Sequence, residues 1–278
     1  MARRGILDHA AGTHGTLRGP YAADSLRVVN EAMARFCWYE LRTTDTGAAQ
    51  AFYADVLGFQ MRDTPGGSVF FRGDQAVAGC SPLPERAAAR GAPAHWLGHI
   101  GVRDVEGLSR RILAQGGEPL GPTRTLEGGA TRVILRDPFG SVLALVSPGH
   151  AASTGVVVWH DLNTRDHARA WALYSELFGW KATETEELDP EFGVYAKFSW
   201  DEGGASVGGM VSSARLPHIH PHWLFAFHVE DLDEALAKVN ARGGKVLTPR
   251  KLPSGERIAV CEDAQGAAFA LHASAPRA

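Results

Sequence analysis

The chain has 278 residues, 45% hydrophobic and 21% charged, with a formal net charge of -3 and a pI near 6.5. That balance suits a globular protein of one large or two small domains, and it lacks the basic excess that a nucleic-acid partner needs to meet phosphates. No apolar run approaches the roughly 18 residues of a membrane span, so no membrane partner is expected.

Residues 1–34 read as an N-terminal extension. Arg3 and Arg4 make its start basic, but no apolar segment follows, so a secretory leader is not expected. Leu26, Val29 and Met33 fall at helical spacing within Ala22–Met33. The stretch reads either as a docking helix or as sequence ahead of a start at Met33, with the second reading favoured. Cys37, Cys80 and Cys261 are odd in number and lack metal-type spacing. Buried free thiols in a reducing, cytoplasmic compartment are the expectation.

From residue 35 the elements become regular. Phe36–Arg42 reads as a strand. Asp45 is a good helix cap, and Ala49, Phe52, Tyr53, Val56 and Leu57 form a core-facing helical stripe that Gly58 stops. Short strands follow at Ser68–Arg72, Ala76–Ser81 and Trp96–Val102. Asp104 then caps an amphipathic helix that Gly116-Gly117 ends. Arg132–Arg136 and Val142–Val146 make a hairpin across Asp137–Gly140.

The same series then begins again. Trp38, Leu41, Thr43, Asp45, Ala49, Ala51, Tyr53 and Gly58 recur 121 residues later as Trp159, Leu162, Thr164, Asp166, Ala170, Ala172, Tyr174 and Gly179, where chance would give roughly one or two matches. His95-Trp96-Leu97 returns as His222-Trp223-Leu224, and Asp137 and Gly140 return as Asp263 and Gly266. The chain is therefore a tandem duplication with domains at 35–149 and 154–274. The growing offset puts extra residues of the second copy in a loop near Glu184–Asp189. Glycines at 203, 204, 208 and 209 read as turn and bulge residues.

The motif D-x-x-x-A-x-x-F-Y-x-x-x-L-G-F at Asp45–Phe59, the Trp96–Asp104 segment and the closing Asp137–Gly140 hairpin resemble the vicinal-oxygen-chelate superfamily. That superfamily includes glyoxalase I, extradiol dioxygenases and the fosfomycin and bleomycin resistance proteins. Within it the chain resembles tandem members described as glyoxalase-like or hydroxylase-like. The resemblance implies an α+β fold: two tandem βαβββ-type modules, each with a curved mixed or antiparallel sheet forming a cup and helices packed on the outer face. It also implies where a divalent metal would sit in relatives, on His or Glu at three strand positions. Carried over, these are Trp38, Leu97 and Ala144 in the first copy and Trp159, Leu224 and Ala270 in the second. None can hold a divalent ion, so no metal and no cofactor is expected. A one-residue slip would nominate His160, but on the opposite strand face.

If Trp38 faces the cup, strand alternation sends Glu40 and Arg42 the same way, with Trp159, Asp161 and Asn163 as their second-copy counterparts. A carboxylate among tryptophans should have a raised pKa, which suits acid–base catalysis by Glu40 and Asp161; the alternative is a structural pairing with Arg42 or a neighbour. His95 and His99, and His222 and His228, fall on the corresponding faces, with His99 and His228 as further catalytic candidates and His95 and His222 as ligand contacts. His272 lies two residues beyond Ala270. Arg132 and Arg136 either face an anionic ligand or are solvated. His218, His220 and His222 share a face if extended, as a surface polar run or an adventitious metal clip.

Three functions stay open. One is a metal-independent enzyme doing acid–base chemistry on a small aromatic or polyketide-like molecule. Another is a sequestering protein of the bleomycin-resistance kind, and the third is a lyase or dioxygenase with relocated metal ligands. The expected partner is a small molecule, and a homodimer is left open.

Overall fold

The computed structural model describes residues 34–64, 67–126, 128–147, 155–188, 190–247, 249–252 and 254–275. The Ala22–Met33 segment lies outside the described residues, and so do the docking-helix and start-site readings.

The first repeat runs β1 (Arg35–Thr43), α1 (Thr46–Leu57), β2 (Gln60–Thr64), β3 (Gly67–Arg72), β4 (Gln75–Pro82), a one-turn α2 (Glu85–Ala88), β5 (His95–Gly101), α3 (Val105–Ala114), β6 (Glu118–Pro119), β7 (Arg124–Thr125), β8 (Thr131–Arg136) and β9 (Val142–Ser147). The second runs β10 (Val157–Asn163), α4 (His167–Phe178), β11 (Lys181–Glu187), β12 (Val194–Ser199), β13 (Gly208–Val211), β14 (His222–His228), α5 (Leu232–Ala241), β15 (Lys245–Val246), β16 (Arg250–Lys251), β17 (Arg257–Glu262) and β18 (Ala268–Ala273). No helix among the described residues is long and apolar enough to cross a membrane.

Each repeat forms one open mixed sheet. The first is ordered β2-β3-β4-β1-β5-β9-β8-β6, with β7 against β8, and the second β11-β12-β13-β10-β14-β18-β17-β15, with β16 against β17. The order shows a finer division than the duplication. β1 lies parallel to β4, β5 lies parallel to β9, and β1 meets β5 antiparallel. A repeat is thus two βαβββ units joined at the β1–β5 seam, and the middle of the cup floor lies on that seam. β2 and β11 were not expected from sequence. The second copy's extra residues are shared between β11, two residues longer than β2, and a longer connection from Glu187 to Val194, so the expected loop forms but begins after Glu187 and not at Glu184.

Local chemistry explains the helices. Asp45 and Asp166 sit in extended backbone and accept the Ala48 and Arg169 amides at 2.9 and 3.1 Å. Gly58 and Gly179 end the helices at φ 68° and 74°, a left-handed conformation that costs other residues about 1 kcal/mol. Ala49, Phe52, Tyr53, Val56 and Leu57 are all buried.

The two sheets share one core on their helix-bearing faces, which contains Tyr39, Leu41 and Tyr53 from one repeat and Tyr174, Trp223 and Phe225 from the other. Exchanged hydrogen bonds tie the repeats together. Tyr53 Oη donates to Asp263 at 3.1 Å, and Tyr174 Oη donates to Asp137 at 3.0 Å. Each tyrosine oxygen also accepts an indole N–H, from Trp96 at 3.0 Å and from Trp223 at 3.3 Å. His160 stands on this core side. Its Nδ1–H donates to the Val207 carbonyl at 2.8 Å, so Nε2 accepts the Tyr39 hydroxyl at 2.6 Å. Burial lowers its pKa to about 4, and the ring stays neutral.

Candidate functional site

A bulge in β1 between Phe36 and Trp38 resets the alternation, so Phe36 joins the shared core while Trp38 joins a small separate cluster with Val69, Ala130 and Val146. That cluster contains no helix residue; it lies on the cup face. Across the seam Trp38 pairs with His99, Glu40 with Leu97 and Arg42 with His95, while His99 pairs with Ala144 on its other side. β10 repeats the bulge and the register, setting Trp159 beside Ala226, Asp161 beside Leu224 and Asn163 beside His222. Gly79 and Gly209 lie beside Glu40 and Asp161 on the neighbouring strands. A Cβ at Gly209 would stand 2.2 Å from the Tyr195 ring, so this glycine lets Tyr195 lie against the acid.

In the first cup Glu40 is saturated. Its Oε1 accepts from Ser81 Oγ at 2.7 Å and from Arg42 Nε at 3.4 Å. Its Oε2 accepts from Arg132 Nη1 at 3.1 Å and lies 3.3 Å from His99 Nε2. Burial alone would raise its pKa, but the His99 ring beside it and the Arg42 and Arg132 charges outweigh it and hold the carboxyl well below the usual range. Of the two readings of Glu40, the structure has the pairing with Arg42 and a neighbour, Arg132, and not the raised pKa. His99 is wholly buried, and desolvation pushes its pKa down, so it is neutral at pH 7 and not the near-neutral titrating group expected.

The second cup has the same acid position in a different environment. Asp161 Oδ1 accepts both the Trp159 indole N–H at 3.0 Å and the Tyr195 hydroxyl. Its Oδ2 makes no hydrogen bond to any other described residue and is not sealed from solvent. Burial raises its pKa to about 6, against the lowering effect of the Tyr195 and Trp159 bonds. No cation is paired with it among the described residues. Leu224, Ala226 and Ala270 floor this cup, with the half-buried Trp159, Ile258 and Val260 around them.

The remaining candidates scatter. Asn163 Oδ1 accepts from Ser213 at 2.6 Å, and the rings of His95 and His222 contact the Pro93 and His220 carbonyls at 3.0 and 2.7 Å. His228 faces His272 with ring centroids 6.3 Å apart, each ring 3.6 Å from an outer glutamate, Glu230 and Glu256 respectively. Arg136 is a solvated strand-end residue 3.8 Å from Glu118. His218 and His220 are exposed ahead of β14, as a surface polar run, with His218 in a turn. Ser81 and Tyr195 were missed. Both reach the acid from strands whose hairpin register the sequence does not disclose, and the repeated glycine at 79 and 209 was their only trace.

A family model described as Glyoxalase/Bleomycin resistance protein/Dioxygenase superfamily matches residues 35–145 and again 149–271. The chain belongs to this superfamily. Among its relatives, CFP32 of Mycobacterium tuberculosis, which carries a provisional glyoxylase name, is 30% identical over 253 residues, covering 86% of this chain and 95% of CFP32. The anthracycline biosynthesis protein DnrV of Streptomyces peucetius is 26% identical over 259 residues, covering 84% and 91%. The Mn(II)-bound glyoxalase of Novosphingobium aromaticivorans has the same fold, with a TM-score of 0.59 at 15% identity over 88% of this chain and 83% of that one.

The Mn(II) of that glyoxalase raises the question of whether a divalent ion fits this member of the superfamily. The side chains do not suit one. Trp38, Leu97, Ala144, Trp159, Leu224 and Ala270 offer no donor, and no group of three His, Cys, Asp or Glu converges among the described residues. Glu40 is already neutralised by arginine, and Asp161 stands alone. A surface depression of about 660 Å³ over α3 is lined by Arg103, Asp104, Arg110 and Arg111 and lies apart from the cups.

Proposed function

We propose that this protein is a metal-independent acid–base enzyme that takes a small, planar, polyketide-like molecule into its second cup and moves a proton with Asp161. The observation that carries this reading is the half-occupied carboxylate, with Oδ1 anchored by Trp159 and Tyr195 and Oδ2 left open. A pKa near 6 makes the group mostly ionised at neutral pH yet able to hold a proton, the condition general base and acid catalysis need. Oδ2 takes a proton from a carbon next to a carbonyl and returns it to another atom of the same molecule. Neither an oxidant nor a hydride is involved. Burial and the neighbouring Asp161 push the Tyr195 pKa far up, so Tyr195 stays protonated as a donor. The apolar floor gives a flat ring system its contact area. The similarity to DnrV, an anthracycline biosynthesis protein, supports a polyketide-like ligand. The buried thiols, with Cys80 and Cys261 pushed up to about 12, fit a cytoplasmic setting in which they stay reduced and unreactive.

The test is deuterium uptake in D2O by a hydroxylated anthraquinone bearing a β-ketoester side chain, followed by NMR. Wild-type protein accelerates exchange at the carbon between the two carbonyls. Asp161→Asn loses that acceleration, while Glu40→Gln, where it folds, retains it. Equal exchange with wild type and Asp161→Asn would remove the proposal.

A further inference from the structure

The first cup differs from the second in charge as well as in shape. Arg42 and Arg132 each spend one nitrogen on Glu40, and their remaining N–H groups bond no other described residue. These groups are not sealed off: the side chains are 13% and 18% exposed. With His99 neutral, two guanidinium groups face one carboxylate, and the cluster is cationic. Beside it the half-buried Phe71, Ala76 and Leu126 pack on the buried Trp38 and Val69 and present apolar surface.

The fold does not need this cluster. Strand register places Asn163 where the first cup has Arg42, Val211 for Ser81, Ala226 for His99 and Ile258 for Arg132. The second sheet forms with all four replaced. Four side chains that assemble a cationic centre on one sheet and are absent from its twin serve something other than sheet assembly.

We propose that the first cup binds an aromatic carboxylate, its anion on Arg42 and Arg132 and its ring against the half-buried Phe71 and Leu126 that pack on the Trp38 cluster. Glu40 is the pin in this arrangement. It holds the two planar forks in place and cancels one charge, which leaves the other for a carboxylate, the group guanidinium recognises best through paired N–H donors. The site is independent of proton transfer at Asp161.

The experiment uses the full chain and two probes of equal shape, 2-naphthoate and its neutral amide 2-naphthamide, in titration calorimetry. The expected result is naphthoate binding about tenfold or more tighter than the amide, weakening as salt rises. Arg132→Gln lowers naphthoate affinity by a similar factor and leaves the amide unchanged. Should that variant fail to fold, the wild-type comparison still decides. Labelling with 5-fluorotryptophan locates the probe: naphthoate shifts the fluorine signal of Trp38, assigned through Trp38→Phe. Equal affinity for both probes, binding of neither, or a shift confined to Trp159 would overturn the assignment. Loss of the deuterium-exchange result at Asp161 would leave it standing.

Discussion

Glu40 and Asp161 occupy one repeat position, and opposite pH behaviour should follow when each is made neutral. Glu40→Gln removes a charge that Arg132 and Arg42 contact at 3.1 and 3.4 Å, with all three side chains less than a fifth exposed. Breaking a buried pair by deleting one partner costs about 3 to 5 kcal/mol, because the other charge stays buried without compensation. The amide keeps one carbonyl acceptor, so the low end applies, about 3 kcal/mol. For a body of this size that lowers Tm by roughly 6 to 12 °C. The Glu40 pKa is depressed in the folded state, so its contribution is present above the unfolded value near 4.3 and is lost as pH falls through the folded value. The gap between wild type and Glu40→Gln is therefore widest above pH 5 and narrows in acid.

Asp161 carries the other sign. Its pKa is raised, so its stabilising contribution is complete below the unfolded value near 3.9 and is lost as pH rises through about 6. Displacement from about 3.9 to about 6 corresponds to at most roughly 3 kcal/mol lost by neutral pH. Asparagine keeps an Oδ1 acceptor for Trp159 and Tyr195 without the charge, so Asp161→Asn matches wild type at pH 4 and exceeds it at pH 8. Urea unfolding of the three proteins at pH 4, 6 and 8 measures both effects. If both variants change stability by the same amount and sign at pH 8, the environments assigned to the two acids are wrong.

The seam between repeats should be equally sensitive. A Cβ at Gly98 would stand 2.4 Å from Phe36 and 2.6 Å from Phe225, so Gly98→Ala destabilises by about 1 to 3 kcal/mol in thermal unfolding. Tyr53→Phe strips the Trp96 indole of its acceptor and Asp263 of a donor, costing about 2 kcal/mol; unchanged Tm would show that the exchanged bonds carry no weight. After incubation with Mn(II) or Zn(II) and gel filtration, elemental analysis finds no stoichiometric ion in the protein. Retention of one ion per chain through mild chelation would revive a relocated metal centre.

Much of the scaffold could be read from the residues because its signals are local. Asp45 and Gly58 delimit a helix by their own side-chain and backbone chemistry, and the Trp38–Gly58 pattern repeats at a fixed offset. β2 was invisible because Gln60–Thr64 is a largely exposed edge strand with no apolar alternation to announce it. The site was only half legible. Alternation along β1 and β5 named Trp38, Glu40, Arg42 and His99 as neighbours. Whether Arg132 reached Glu40 depended on the pairing of β9 with β5, and whether Tyr195 reached Asp161 depended on the pairing of β13 with β10. Pairings between strands distant in sequence follow from turn geometry and packing, and a pKa inferred without them took the wrong sign at Glu40.

The same dependence explains how one duplicated scaffold holds two carboxylates of opposite pKa shift. A carboxylate at a fixed point on the cup floor has no role of its own, since its proton affinity is set by what the adjacent strands bring within about 4 Å. Ser81, Arg42, His99 and Arg132 fill both oxygens of Glu40 and keep it ionised, which removes it from proton transfer and makes it a fixed negative post between guanidiniums. Valine, asparagine, alanine and isoleucine at those places leave Asp161 to one tyrosine and one indole, both on the same oxygen. Replacements at these four positions, one on the acid's own strand and three on other strands, together with Tyr195 on β12, thus change the surroundings of the carboxylate while the sheet order stays fixed.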